Sequence, residues 1–291
     1  LAFVEVPMKF ASPDTLAGAL SLLAEDGARC LAGGQSLVAM MNAQLVSPAT
    51  LVSLRRIPEL TAVTALPDGG LSIGAMTPHA AVARLRPSAA GPALLCRTAA
   101  EIGHPAIRNQ GTIGGSLAHA DPAADYPAAA VCAGARIVVA GATGQRTIPA
   151  GEFFRGFYET ALSPGEIIVA VEVPPGPAGA QAHYEKFALV HGDFALVSAA
   201  VILAMKDGRC ASARIAVGAC APAPVRAPAA EAALAGTALD DAALAKAGAL
   251  VAAACDPVDD FRGSAAYRLK LVPRIVARAV RAAQAKCVAH G

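Results

Sequence analysis

The chain has 291 residues, enough for two domains or three small ones at about 150 residues each. Its 24 basic and 22 acidic side chains leave a net charge of +2, with eight Phe, four Tyr and no Trp. That balance excludes a global field for nucleic acid or an anionic membrane and removes aromatic stacking platforms, while the 55% apolar content excludes disorder.

Residues 4–10 read as a first strand, and Glu5, Pro7 and Lys9 within them speak against a secretory leader. Ser12-Pro13-Asp14 reads as a cap and first-turn proline for a helix with Leu16, Leu20 and Leu23 on one face, closed by Gly27. A short strand at 29–31 enters Ala32-Gly33-Gly34-Gln35-Ser36-Leu37, a helical stretch runs through Met41, and residues 50–54 form a buried strand. The uncharged stretch 30–54 is broken by Gly33, Gly34, Gln35, Asn42, Gln44 and Pro48, so it does not span a membrane. The densest apolar run, 195–205, is too short to do so.

A second unit starts near Glu59, with a hairpin of 62–66 and 71–75 across Pro67-Asp68-Gly69-Gly70. Thr77-Pro78 and Gly91-Pro92 open two helices, the second ending near Gly103. After the glycine-rich run 111–115, a short helix is expected at 127–133, a hairpin at 136–140 and 145–148, and a strand at 166–173. The segment 174–179, Pro-Pro-Gly-Pro-Ala-Gly, is the clearest linker. Beyond it three strands (182–188, 194–205, 209–218) precede three helices (229–235, 240–254, 264–286), an α+β order. The last helix carries Leu271, Ile275 and Val276 on an apolar face, with Arg268, Arg274, Arg278 and Arg281 expected on a solvated one.

Seven cysteines stand at least ten residues apart with no C-x-x-C, so they read as buried thiols of a reducing cytosol rather than cluster or zinc ligands. No metal site is expected: the six histidines show no H-x-x-x-H spacing. No two glycines are separated by a single residue, so G-x-G-x-x-G is absent, and neither a P-loop nor a G-x-S-x-G elbow occurs. Two glycine-pair segments remain, 32–37 and 111–116. Each pair permits positive φ and can turn successive N–H groups toward an anion, although such a turn is also read as a tight bend. The hydroxyls of Ser36, Thr112 and Ser116 add donors, and neither segment holds a Lys or Arg, which suits a buried diphosphate.

Four signatures in order then carry a resemblance: A-G-G-Q-S-L at 32–37, T-I-G-G-S-x-x-x-x-D-P-x-x-D at 112–125, P-G-E-I-I-x-x-V-E-V-P at 164–174, and Y-E-K with G-D-F-A at 184–186 and 192–195. The chain resembles the FAD-binding middle subunit of the molybdenum hydroxylases, the family of carbon monoxide, nicotine- and quinoline-type and xanthine dehydrogenases.

The resemblance implies an α+β chain. Two subdomains (1–57 and 58–175) of the vanillyl-alcohol-oxidase type would clamp FAD, followed by a C-terminal α+β domain at 180–291 with three antiparallel strands. It implies FAD contacts from Cys30, Leu31, Ala32, Gly33, Gly34, Gln35, Ser36 and Leu37, and from Gly111, Thr112, Ile113, Gly114, Gly115 and Ser116. Asp125 would bond a ribityl or ribose hydroxyl, and Ile102 and Ile168 would give apolar contacts. Asp121 joins the set, although Asp121-Pro122 also reads as a turn or helix start. Lys186 would sit near the flavin ring, where a cation favours the reduced anion; its bland reading is a surface lysine on a strand. Phe194 stands where relatives often have Tyr, and Ser116 where many have Asn, so position 194 keeps only packing or stacking; its bland reading is a core strand residue. His119 falls at a variable position of the second signature and reads as a loop histidine.

No residue of this chain is expected to catalyse hydroxylation. The implied role is electron transfer through FAD to an external acceptor. The electrons would come from two [2Fe–2S] clusters in a small partner subunit, behind a molybdenum cofactor in a large one. The complex would be a dimer of heterotrimers in the cytoplasm. The loop 103–111, with His104-Pro105 and Arg108-Asn109-Gln110, would serve as a dock or as an ordinary exposed loop. Two rival readings remain: a stand-alone FAD oxidase of the same flavin fold, and an assembly protein that has lost FAD.

Overall fold

The computed structural model describes residues 8–289. The strand expected at 4–10 therefore lies partly outside the described residues, and its described part is β1 (Lys9–Ala11). α1 (Leu16–Leu23), β2 (Ala28–Leu31), α2 (Leu37–Asn42) and β3 (Thr50–Ser53) follow. β3 lies between β1 and β2, parallel to both, and all four of its residues are buried. A central parallel strand is covered on both faces, which buries Thr50 and Ser53 along with Leu51 and Val52. α1 begins after Thr15 rather than at Pro13. Thr15 is extended (φ −130°, ψ 152°) and its hydroxyl accepts the Gly18 N–H, one of the donors every helix start leaves unpaired.

The next elements are β4 (Val63–Ala65), β5 (Leu71–Gly74), α3 (His79–Arg84), α4 (Ala90–Glu101), α5 (Pro105–Gln110), α6 (Ile113–His119) and α7 (Asp125–Ala133). β6 (Arg136–Gly141), β7 (Gly144–Pro149), α8 (Ala150–Phe153), β8 (Phe154–Gly156), β9 (Glu159–Thr160) and β10 (Ile167–Val173) complete this part. Both predicted hairpins form, and β10 inserts between β5 and β6 in the order β4-β5-β10-β6-β7. The chain must close a long loop to place that central strand. Short α5 and α6, and everything at 150–160, escaped the sequence reading, because Pro105 and the glycines mask so few helical turns. All nine residues of α7 are buried.

The C-terminal part contains β11 (Gln181–Phe187), β12 (Val197–Lys206), β13 (Arg209–Gly218), β14 (Val225–Arg226), α9 (Pro228–Leu234), α10 (Asp241–Ala253) and α11 (Ala265–Ala289). Its antiparallel sheet has four strands, one more than expected, because two-residue β14 pairs with the end of β13. Strand alternation divides β12 between two cores. Ala200, Ile202 and Ala204 pack with α4 and α7 in one; Val197, Ala199, Val201 and Leu203 pack with α10 and α11 in the other. Small side chains on the first face let α7 lie close to the sheet.

Leu271, Ile275 and Val276 face the core as predicted. Arg268 does not face solvent: it is 3% exposed, and its guanidinium donates to Leu196 O (2.7 Å), Ala219 O (3.0 Å) and the Asp260 carboxylate (2.6 Å). An apolar-to-basic pattern cannot distinguish a solvated arginine from one that ties loops to a helix. Arg278 and Arg281 pair with Glu185 and Asp241, and Arg274 is exposed. All seven cysteines are free, but Cys30, Cys255 and Cys287 are only half-buried, against the expectation that all are interior. Among the described residues no helix is long and apolar enough to cross a membrane.

Arg268→Met removes the guanidinium from two carbonyls and from Asp260, which keeps the N–H groups of Arg262 and Gly263. It is expected to cost about 3 kcal/mol, read as a lower urea midpoint at unchanged slope. Arg274→Met is expected to shift stability by less than about 0.5 kcal/mol.

Candidate functional site

β2 ends at Leu31 and the chain turns through Ala32-Gly33-Gly34-Gln35-Ser36 into α2. Gly34 is left-handed, with φ +73°, a conformation that costs any other residue. Gly33 lies against the end of α5, where an added Cβ would fall inside the Gln110 carbonyl. Among the described residues, no backbone carbonyl accepts from the N–H groups of Gly33, Gly34, Gln35 and Ser36. Of these, Gly33 and Gly34 border a cleft of about 420 Å³ lined also by Phe10, Ser12, Leu31, Ala32, Val38, Ser53, Arg55 and Arg56. The sequence reading gave this segment no cation. Parallel pairing of β2 with β3, with Leu31 opposite Ser53, carries Arg55 and Arg56 to it. Arg55 also donates to the Gln110 side chain at 2.9 Å.

The second glycine segment differs from expectation. Neither Gly114 nor Gly115 has positive φ, since both lie in the first turn of α6. Thr112 is the cap, and its hydroxyl accepts the Gly115 N–H at 3.2 Å. Gly114 is needed for closeness rather than for handedness, since a Cβ there would lie 2.5 Å from that of Ala75. A Cβ on Gly115 would lie 2.9 Å from the Thr112 hydroxyl that caps the helix and in ordinary contact, 3.4 Å, with that of Ala32 in the first segment. Gly114 N donates to Ala75 O (2.8 Å), Ile113 N to Thr77 O (3.1 Å) and His79 N to Gly111 O (2.9 Å). Ile113 and Thr112 are buried and Ser116 is half-buried. His79, which the sequence did not single out, lies beneath this segment at 4% exposure. Its Nε2 would be 2.6 Å from a Cβ on Gly111, and its ring centroid is 5.4 Å from that of Tyr126. Burial, assisted by Arg108, pushes its pKa down to about 4.

Asp125 opens α7 and is 5% exposed. Its carboxylate accepts from the Tyr184 hydroxyl (2.6 Å) and from Lys186 Nζ (3.2 Å), which also donates to Glu101 O (2.9 Å). Alternation along β11 puts Tyr184 and Lys186 on one face. The Lys186 side chain is 7% exposed, which overturns its reading as a surface lysine. Burial pushes the Asp125 carboxyl above its usual range, against the pull of Lys186 and Tyr184. Tyr184 opens the Y-E-K signature, and its two-residue spacing from Lys186 on a strand is the sequence signal for their shared face.

The remaining positions are dispersed. Cys30 is half-buried and its thiol is pushed up to about 12 by burial. Ile102, at the end of α4, and Ile168, on β10 beside a bulge, pack with the first core. Asp121 accepts the Ala123 N–H at 2.8 Å and the Tyr158 hydroxyl at 3.3 Å, a turn as expected. His119, at the end of α6 rather than in a loop, has its ring centroid 5.1 Å from that of Tyr158. Phe194 precedes β12 and is 41% exposed, so it is not a core strand residue; the Arg262 guanidinium lies 5.2 Å from its ring centroid. The segment 103–111 is mostly the helix α5 rather than a loop.

The chain is similar to known proteins along nearly its whole length. Residues 6–176 match the family described as the FAD binding domain in molybdopterin dehydrogenase. Residues 182–283 match the CO dehydrogenase flavoprotein C-terminal domain. The carbon monoxide dehydrogenase medium chain of Afipia carboxidovorans is 40% identical over 94% of this chain and 96% of its own. The 6-hydroxypseudooxynicotine dehydrogenase complex subunit alpha of Paenarthrobacter nicotinovorans is 37% identical over 91% and 90%. Among solved structures, a chain of Cu,Mo-CO dehydrogenase in its cyanide-inactivated form superposes with a TM-score of 0.92 at 39% identity, covering 96% of this chain and 98% of that one. A chain of quinoline 2-oxidoreductase from Pseudomonas putida 86 gives a TM-score of 0.92 at 37% identity, covering 97% and 98%.

His79 has a testable pH signature. Its pKa is about 4 in the folded chain and about 6.5 when unfolded, so the unfolded state binds the proton first as pH falls. The stability it confers is complete above pH 6.5 and declines toward pH 4, by about 3 kcal/mol in all. Urea midpoints across this range should fall in the unaltered chain, and His79→Gln should flatten that part of the profile.

Proposed function

This chain belongs to the flavoprotein-subunit family of the molybdenum hydroxylases, and we propose that it is the FAD-carrying electron-transfer subunit of a heteromeric oxidoreductase of that class. One observation carries the assignment to this cleft. The first glycine segment meets the backbone leading into the second at Gly33 and Gln110, beside a cleft lined by Gly33, Gly34 and two arginines, and among the described residues no backbone carbonyl accepts from the N–H groups of 33–36. Dipoles and cations converging on one opening suit a diphosphate, so the residues present fit FAD.

In this reading Gly33, Gly34, Gln35 and Ser36 hold the diphosphate with their N–H groups, and Arg55 and Arg56 balance its charge. Cys30, Leu31, Ala32 and Leu37 shape that wall. Gly111, Thr112, Ile113, Gly114, Gly115 and Ser116 form the opposite one. Asp125 keeps lone pairs for a ribityl or ribose hydroxyl, Asp121 shapes the turn before it, and Ile102 and Ile168 supply apolar backing. Lys186 holds a positive charge at the ring, and Phe194 packs beside it. FAD, when bound, supplies a carrier that accepts an electron pair and releases electrons to another acceptor. The two FAD subdomains span 1–57 and 58–175, and the C-terminal domain spans 180–291.

The relatives are named as medium chains or as subunits of complexes. By that likeness the partners are a small subunit with two [2Fe–2S] clusters and a large subunit with the molybdenum cofactor, arranged as a dimer of heterotrimers. Electrons enter FAD from the iron–sulfur subunit and leave to an external acceptor. Seven free thiols suit the reducing cytoplasm.

Gly34→Val forces a branched side chain into a left-handed position and toward Val38. It should weaken FAD binding by about 3–5 kcal/mol, a hundredfold or more, giving largely colourless folded protein. Lys186→Met should lower the two-electron potential of bound FAD by about 30 mV for each 1.4 kcal/mol of lost stabilisation of the reduced form; an unchanged potential with normal binding removes Lys186 from the ring. Co-expression with its neighbouring genes should yield a complex containing molybdenum, iron and FAD. Oxidation of an organic substrate by the isolated chain would instead favour a stand-alone oxidase.

A further inference from the structure

Asp125 and Lys186 form a closed pair, with side chains 6% and 7% exposed. In the oxidised protein their charges cancel. An ammonium has three donors, and Lys186 Nζ lies 3.1 and 3.2 Å from the two Asp125 oxygens and 2.9 Å from Glu101 O. On the reading that this pair faces FAD, reduction by two electrons brings a further negative charge against a pair that is already neutral. An uncompensated charge in such a site is costly, so reduction favours uptake of a proton nearby.

The groups around the carboxylate narrow the choice of acceptor. On β11, Lys186 and the Tyr184 phenol already carry their protons. On α7 itself the buried Tyr126 phenol does too, and on β12 Ser198 offers only a hydroxyl. On α4, burial pushes the Cys96 thiol up to about 11, so it is protonated, and the Glu101 side chain is exposed to water. His79, beyond Tyr126, touches that ring rather than the pair. Among the described residues packed here, Asp125 is the buried group that starts without a proton and can accept one.

We propose that Asp125 takes up a proton when the bound flavin is reduced, with Tyr184 setting how readily it does so. The proposal rests on the FAD reading above. Two electrons arrive from the iron–sulfur partner; one solvent proton goes to the ring and one to an Asp125 oxygen. The Asp125–Lys186 pair is thereby loosened and the site keeps its charge balance. Tyr184 donates to the ionised carboxylate, so it holds Asp125 in the proton-free form until reduction.

The test is spectroscopic potentiometry of the full chain loaded with FAD, between about pH 5.5 and 8.5. The pH slope of the two-electron potential counts the protons taken up. Reduced flavin itself changes between one and two protons near neutral pH, so the protons on the ring are read from its absorbance in the same titration; beyond these, one further proton per electron pair is expected in the unaltered chain, lost above the pH at which Asp125 no longer accepts, and none in Asp125→Asn. Should Asp125→Asn lose FAD, Tyr184→Phe decides. Removing its donor raises the proton affinity of Asp125, so the break between the two slopes should move up by about one to two pH units. Equal slopes in Asp125→Asn with FAD bound, or an unmoved break in Tyr184→Phe, overturn the proposal and leave the FAD reading standing. An unaltered chain that takes up no FAD overturns both.

Discussion

The contact on which the site depends is the approach of Gly33 to the Gln110 carbonyl at the end of α5. No side chain fits there, so two backbones distant in sequence lie against each other. That approach puts the unpaired N–H groups of the first segment beside the second. The same closeness recurs at Gly114 over Ala75. Each missing Cβ removes a spacer, and the elements are drawn together as a result. Backbone entropy is the cost of so many glycines, and the hydrogen bonds from Gly114, Ile113 and His79 to Ala75, Thr77 and Gly111 offset it.

Behind this contact the interior is divided by β12, whose alternating faces serve two cores. The sheet of the C-terminal part thus supports α7 from beneath, and α7 presents Asp125 to Tyr184 and Lys186. The charged pair is held by residues from three elements, because Lys186 also reaches the last residue of α4. A cation fixed by that many partners keeps its position when charge changes nearby. Arg268 plays a comparable part at the far side of β12, tying Leu196, Ala219 and Asp260 to α11.

Much of this was legible in the sequence. The order of the longer strands and helices, both hairpins and the positions of the two glycine segments follow from local patterning. What could not be read is what tertiary contact decides. The glycines of 111–115 looked like a left-handed loop, but a threonine cap turned them into the first turn of a helix. Arg55 and Arg56 reached the cleft only through the β2–β3 register. Arg268 and Lys186 are buried because carbonyls and carboxylates from other elements surround them, and no local pattern of charge records that. His79 left no signal, since a histidine at a helix start looks the same whether buried or exposed.

The central claim is that the cleft bordered by the first glycine segment, Arg55 and Arg56 is built for a diphosphate-bearing flavin. Titration of the flavin-free chain with FAD and with FMN tests it most directly, since the two share a ring and differ in the diphosphate and adenosine. The account predicts one FAD per chain, and FMN weaker by about a hundredfold, near 3 kcal/mol. Equal affinity for the two flavins would contradict it.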